Sequence, residues 1–171
     1  MKTIAFVAYP GITPLDLVGP LQVFSTLADF HPDFEVVVAA QNVGPLPTDT
    51  PLSITPSHTF DQVPDPHVVI VPGGSEPTLR ALTDQTLLGY LRSVSPTVTA
   101  SVCSGALVLG AAGLLKGREA TTHWAFLNLP ASAAEQLLDL PGTKPFSPGR
   151  NQTGLPIPPL AAPRAARRPD L

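Results

Sequence analysis

Four short runs rich in Val, Ile and Ala punctuate the first hundred residues: TIAFVA (3–8), FEVVVAA (34–40), HVVIV (67–71) and TVTASV (97–102). Such β-branched apolar runs read as buried strands. Segments with helical spacing separate them. One carries Leu15, Leu17, Val18, Leu21, Val23, Phe24 and Leu27 after Thr13, a good N-cap with Pro14 behind it. A second extends from about Glu76 to Arg92. A third carries Ala106, Leu107, Leu109, Ala111, Leu114 and Leu115 and ends near Gly113 to Gly117. Strands alternating with helices predict an α/β fold with a mostly parallel sheet covered on both faces. A Pro- and Thr-rich stretch, 45–60, predicts a short hairpin or edge strand around LSIT (52–55). REATTHW (118–124) reads as a short strand or turn leading into a helix. There is no internal repeat.

Three strand runs end abruptly, at Tyr9-Pro10-Gly11, at Pro72-Gly73-Gly74 and at Cys103. Functional residues of open parallel sheets gather at the carboxyl ends of the strands. Three separate turns should therefore converge on one crevice.

Composition narrows the function classes. At 171 residues the chain is long enough for one domain with a real core. A net charge of −3 offers no basic field for nucleic acid. A single cysteine excludes an intrachain disulfide and fits a reducing compartment. The N-terminus lacks the pattern of a signal peptide, and the longest apolar stretch is too short to span a bilayer. A cytoplasmic protein is the expectation. His31, His58 and His67 are scattered, and no His or Cys spacing resembles a metal site. No Gly-rich phosphate-cradling loop is present.

Each candidate site residue has two readings. Cys103 lies between a strand and a helix, which is the setting of a nucleophile elbow. There the turn exposes the sulfur, and helix N–H groups favour the thiolate. A lone cysteine is also commonly a buried structural residue. Asp16 fits a capping box with Thr13, or it faces the thiol as proton acceptor or water holder. Gly73 and Gly74 make a turn, or offer backbone N–H groups to a developing anion. Ser104 caps the following helix, or directs its hydroxyl to substrate or Asp16. His123 is a packed residue, or a base for the cysteine.

Taken together, YPGITPLDLVGPLQVF (9–24), VVIVPGG (68–74), SVCSGALVLGAAGLLKG (101–117) and REATTHW (118–124) resemble the ThiJ/PfpI superfamily, also called class I glutamine-amidotransferase-like. The resemblance covers roughly residues 1–128, in the family's order and spacing. It implies a flavodoxin-like three-layer sandwich, a cysteine nucleophile at Cys103, a homodimer and no cofactor. Within the superfamily the chain is most similar to the isonitrile hydratases, which carry Asp in the first helix. That position is Asp16 here. Where the subgroup has Thr after the nucleophile, this chain has Ser104. The resemblance implies hydration of a small isonitrile substrate by Cys103, Asp16 and Ser104, with Gly73 and Gly74 binding substrate and His123 a further candidate. The same motifs also resemble the ligand-sensing domain of AraC-type transcriptional regulators, in which a segment like 118–124 carries the matching His.

Prolines number 22, and many lie late in the chain. The expected division is an α/β domain over 1–140 and a Pro-rich tail over 141–171. In that tail neither helical nor strand periodicity survives. Family members normally continue with a strand, a Gly-rich turn and a long helix. The abrupt rise in Pro and Arg suggests a disordered or frameshifted C-terminus instead.

Overall fold

The computed structural model describes residues 1–74, 80–116, 118 and 120–123. The first turns of the helix expected from Glu76, the helix expected after His123 and the 141–171 segment lie outside the described residues. In chain order the elements are β1 (Lys2–Val7), α1 (Pro14–Phe30), β2 (Phe34–Ala40), β3 (Leu46–Pro47), β4 (Ser53–Ile54), β5 (His58–Thr59), β6 (Val68–Val71), α2 (Gln85–Ser93), β7 (Val98–Ser101) and α3 (Gly105–Ala111).

The main sheet runs β5-β2-β1-β6-β7, and every pairing in it is parallel. β1 is central because both its faces are apolar. It pairs with β2 from Lys2↔Phe34 to Val7↔Ala39, and with β6 from Ile4↔Val68 to Phe6↔Ile70. Ile4, Phe6, Val7, Val69, Val71 and Val108 are fully buried and form the centre of the core. This is the α/β, flavodoxin-like arrangement that the alternating pattern and the resemblance implied. Phe24 of α1 packs edge-on against Phe6, with ring centroids 6.1 Å apart. Such a pair adds about 0.5–1.5 kcal/mol beyond area burial. On α2, Tyr90 stacks on Phe60 at 4.3 Å and donates its hydroxyl to the Val63 carbonyl at 3.0 Å. The LSIT region supplies β4, paired antiparallel with β3. No helix among the described residues is long and apolar enough to cross a membrane.

Three local expectations are corrected. Thr13 precedes α1 but makes no side-chain cap, because its hydroxyl donates to Asp49 instead. The Thr13–Asp16 capping box does not form. The second helix is not continuous from Glu76 to Arg92: a turn at Leu82 and Thr83 interrupts it. Asp84 restarts it as N-cap, accepting from the Thr86 and Leu87 N–H groups at 3.0 and 3.1 Å. The third helix stops at Ala111, earlier than its apolar pattern. Gly113, at φ 81°, takes the left-handed position of a Schellman motif. Leu114 N–H donates to the Leu109 carbonyl at 3.0 Å, and Gly113 N–H to that of Gly110 at 2.8 Å. Arg92 of α2 donates to the Ala111 and Ala112 carbonyls, each at 3.3 Å, so a neighbouring helix serves the groups α3 leaves open.

Candidate active site

The three turns meet, as strand order requires. Thr13 N–H donates to the Gly73 carbonyl at 2.9 Å, and Ile12 bridges Gly74. The buried Tyr9 hydroxyl donates to the Pro72 carbonyl at 2.7 Å. Val102 N–H continues the β6–β7 pairing by donating to the Val71 carbonyl at 3.0 Å.

The chain then turns sharply. Cys103 has φ 54°, the sole positive value at a non-glycine among the described residues. A side chain held in the left-handed region costs about 1–2 kcal/mol. The cause lies two residues on. A Cβ built on Gly105 would sit 2.1 Å from the Val71 carbonyl oxygen and 2.9 Å from that of Pro72. The start of α3 is therefore pressed against the backbone at the end of β6, and the elbow must be tight to bring it there.

Ser104 is wholly buried, with 0% exposure. Its hydroxyl donates to the Gly74 carbonyl at 2.6 Å and accepts from the Gly74 N–H at 3.0 Å. It makes no side-chain cap on α3. The Gly74 N–H is thus engaged inside the protein, which conflicts with its expected use as an anion donor. The Gly73 N–H is directed to the Asp16 carboxyl. A Cβ on Gly73 would stand 2.6 Å from Ser104 N and 2.9 Å from Asp16 Oδ2, so only glycine lets these groups close up.

Asp16, in the first turn of α1, reaches the thiol. Burial raises its pKa above the usual carboxylate value; the Cys103 thiol and the Gly73 N–H oppose that. Its Oδ2 is buried without a well-formed hydrogen bond to any described group. Burial also raises the Cys103 thiol; the Ser104 N–H pulls it down, and the Asp16 charge pushes it up again. The net direction is upward. The Ser104 N–H favours the thiolate, but burial and Asp16 outweigh it. Cys103 and Asp16 thus each bear on the other's ionisation. His123 is within electrostatic reach of Asp16, as the weakest of the influences on that carboxyl.

Neutralising Asp16 reads out this coupling. Removing a negative neighbour lowers a thiol's pKa. In Asp16→Asn, alkylation of Cys103 by iodoacetamide is therefore expected to shift to lower pH and to be faster at pH 7. A profile unchanged or moved upward would contradict the pairing.

Two residues went unnoticed in the sequence. Gly105 carries the close approach just described, and its signal was a small residue directly after the elbow. Thr122 donates its hydroxyl to the Cys103 carbonyl at 3.2 Å across 19 residues, a link no local pattern announces. A cleft of about 370 Å³ opens beside the first turn, lined by Tyr9, Gly11, Thr48, Arg80 and Asp84 among others. None of Cys103, Asp16 or Ser104 lines it.

A parallel sheet with a strained cysteine on a strand-to-helix elbow, facing a carboxylate from the first helix, defines a class of α/β proteins built around one thiol. The chain belongs to the DJ-1/PfpI family, whose profile matches residues 2–141. It is 39% identical over 128 residues to an isonitrile hydratase of Pseudomonas putida, covering 74% of this chain and 54% of that protein. It is 26% identical over 153 residues to an HTH-type transcriptional regulator of Pseudomonas aeruginosa, covering 84% of this chain and 45% of that one. Among solved structures, a ThiJ/PfpI family protein from Pseudomonas syringae superposes with a TM-score of 0.73 at 36% identity, covering 87% of this chain and 57% of that chain. The chain spans about half the length of these relatives.

Proposed function

We propose that the chain hydrates a small isonitrile, R–NC, to an N-substituted formamide through Cys103. The observation that supports this most directly is the pairing of Asp16 with the thiol on a strained elbow, in a chain 39% identical to an isonitrile hydratase. As Sγ bonds to the terminal carbon, the thiol proton passes by way of Asp16 to that carbon. The product is a thioimidate, R–N=CH–S–Cys103. Water held by Asp16 then adds to the C=N bond. Its oxygen bonds to carbon, and nitrogen takes a proton. The C–S bond breaks, the thiol regains its proton, and R–NH–CHO leaves. One water is consumed and no oxidant or cofactor enters. The Ser104 N–H steadies negative charge on sulfur. Gly73 and Gly74 act one step back, holding Asp16 and Ser104 in place, and His123 biases Asp16 by its charge. A cytoplasmic homodimer belongs to the same reading.

Incubation with cyclohexyl isocyanide should yield N-cyclohexylformamide by mass spectrometry. No product from folded protein would remove the hydratase reading. The second reading, a sensing domain without turnover, draws on the regulator relative that aligns with 84% of the chain. It expects saturable binding of a small ligand, or reversible oxidation of Cys103, with no product formed.

A further inference from the structure

Thr122 lies in the stretch after α3, outside regular secondary structure, and it is half-buried. Its hydroxyl donates to the Cys103 carbonyl at 3.2 Å. Among the described residues this is the one hydrogen bond recorded to that carbonyl. The first turn of α3 does not use it, since Leu107 N–H bonds to the Ser104 carbonyl and Gly105 N–H to that of Val102.

The Cys103 carbonyl and the Ser104 N–H are two ends of one planar peptide unit. That N–H is the group that pulls the thiol toward its ionised form. The peptide sits in a turn whose leading residue is in a costly conformation, so it needs an outside hold. We propose that Thr122 is a positioning residue: its hydroxyl fixes the Cys103–Ser104 peptide plane and thereby aims the Ser104 N–H at the sulfur. A hydrogen bond accepted at the carbonyl also polarises the same peptide and strengthens its N–H as a donor. Thr122 thus acts on the thiol through the Cys103–Ser104 peptide. The inference rests on the reading of Cys103 as the reactive group, but not on the identity of its substrate.

The test follows thiol ionisation rather than turnover, so its failure and the failure of the hydratase reading are separable. The rate of Cys103 alkylation by iodoacetamide is measured against pH in wild type, Thr122→Val, Thr122→Ala and Thr122→Ser. Thermal melting is recorded beside it. Thr122→Val, which keeps the shape and loses the donor, is expected to alkylate about threefold to tenfold more slowly at neutral pH, the range one hydrogen bond supports. Its profile should move to higher pH, while Thr122→Ser restores the wild-type profile. Thr122→Ala gives the same reading should the valine variant fold poorly. An unchanged profile in the folded variants lacking the hydroxyl would overturn the proposal. So would a Thr122→Ser variant as slow as Thr122→Val, which would make the methyl group the working part.

Discussion

Cys103→Ala is expected to lose formamide production by about 10⁴-fold or more, the scale seen when a nucleophile is removed from a site whose parts act as a unit. The fold should survive, because the thiol is only partly buried and binds no other element covalently. The more instructive variant is Cys103→Gly. It is equally inactive, but it relieves the backbone at φ 54°. An L side chain in that region costs about 1–2 kcal/mol, partly offset by the extra freedom glycine has in the unfolded chain. Cys103→Gly should therefore be more stable than Cys103→Ala by about 0.5–1 kcal/mol in urea denaturation. Equal midpoints would mean that the elbow stores no strain. Formamide production surviving in either variant would remove Cys103 from the mechanism.

Gly105→Ala is expected to be the most damaging single-methyl change in the described chain. The added carbon would meet the Val71 carbonyl oxygen at 2.1 Å and the Pro72 carbonyl oxygen at 2.9 Å. Both are backbone atoms, one at the end of β6 and the other in the turn that follows, so no rotamer change can clear them. Overpacking a core commonly costs about 1–3 kcal/mol where side chains can yield. Here the loss should exceed about 3 kcal/mol, a large part of the ~5–15 kcal/mol that holds a domain folded. Gly89→Ala is the matched control. It lies exposed in α2 with nothing within 4 Å of the new carbon. Helix propensity alone should make it about 1 kcal/mol more stable. If Gly105→Ala melts within a degree or two of wild type, the tight seat of α3 on β6 is not real.

Four of the five strands of the main sheet were legible because buried parallel strands leave unbroken Val and Ile runs, as in HVVIV and FEVVVAA, whereas the two-residue edge strand β5 at His58–Thr59 leaves no such run. The meeting of three turns followed from topology alone, since parallel strands present their carboxyl ends on one side. Long-range polar partners were not legible. Thr13 carries an adequate N-cap signal, yet its hydroxyl serves Asp49, 36 residues away. Gly74 offers an amide to any acceptor, and the nearest is a serine hydroxyl 30 residues on. Local sequence cannot rank such choices, because the competing partners are set by tertiary approach. The break before Asp84 was hidden for a different reason. Ala81, Leu82, Leu87, Leu88 and Leu91 are all buried, so the apolar pattern runs through the turn. Asp84 itself was the available mark, as an N-cap ahead of Gln85 and Thr86. The Schellman stop at Gly113 was masked likewise, since Leu114 and Leu115 pack against the core after the helix has ended.

The Ser104 hydroxyl both gives and receives a hydrogen bond with one residue, Gly74, at the point where the β6–β7 backbones have parted. It behaves as an extra rung added to the ladder by a side chain. A rung of this kind transmits displacement: the loop bearing the cysteine cannot swing outward unless the Pro72–Gly74 turn travels with it. Since Gly73 is in turn tied to Thr13 and faces Asp16, the thiol and its carboxylate are geared together. Any movement that leaves this gearing intact keeps the Cys103 thiol and the Asp16 carboxyl at a fixed separation.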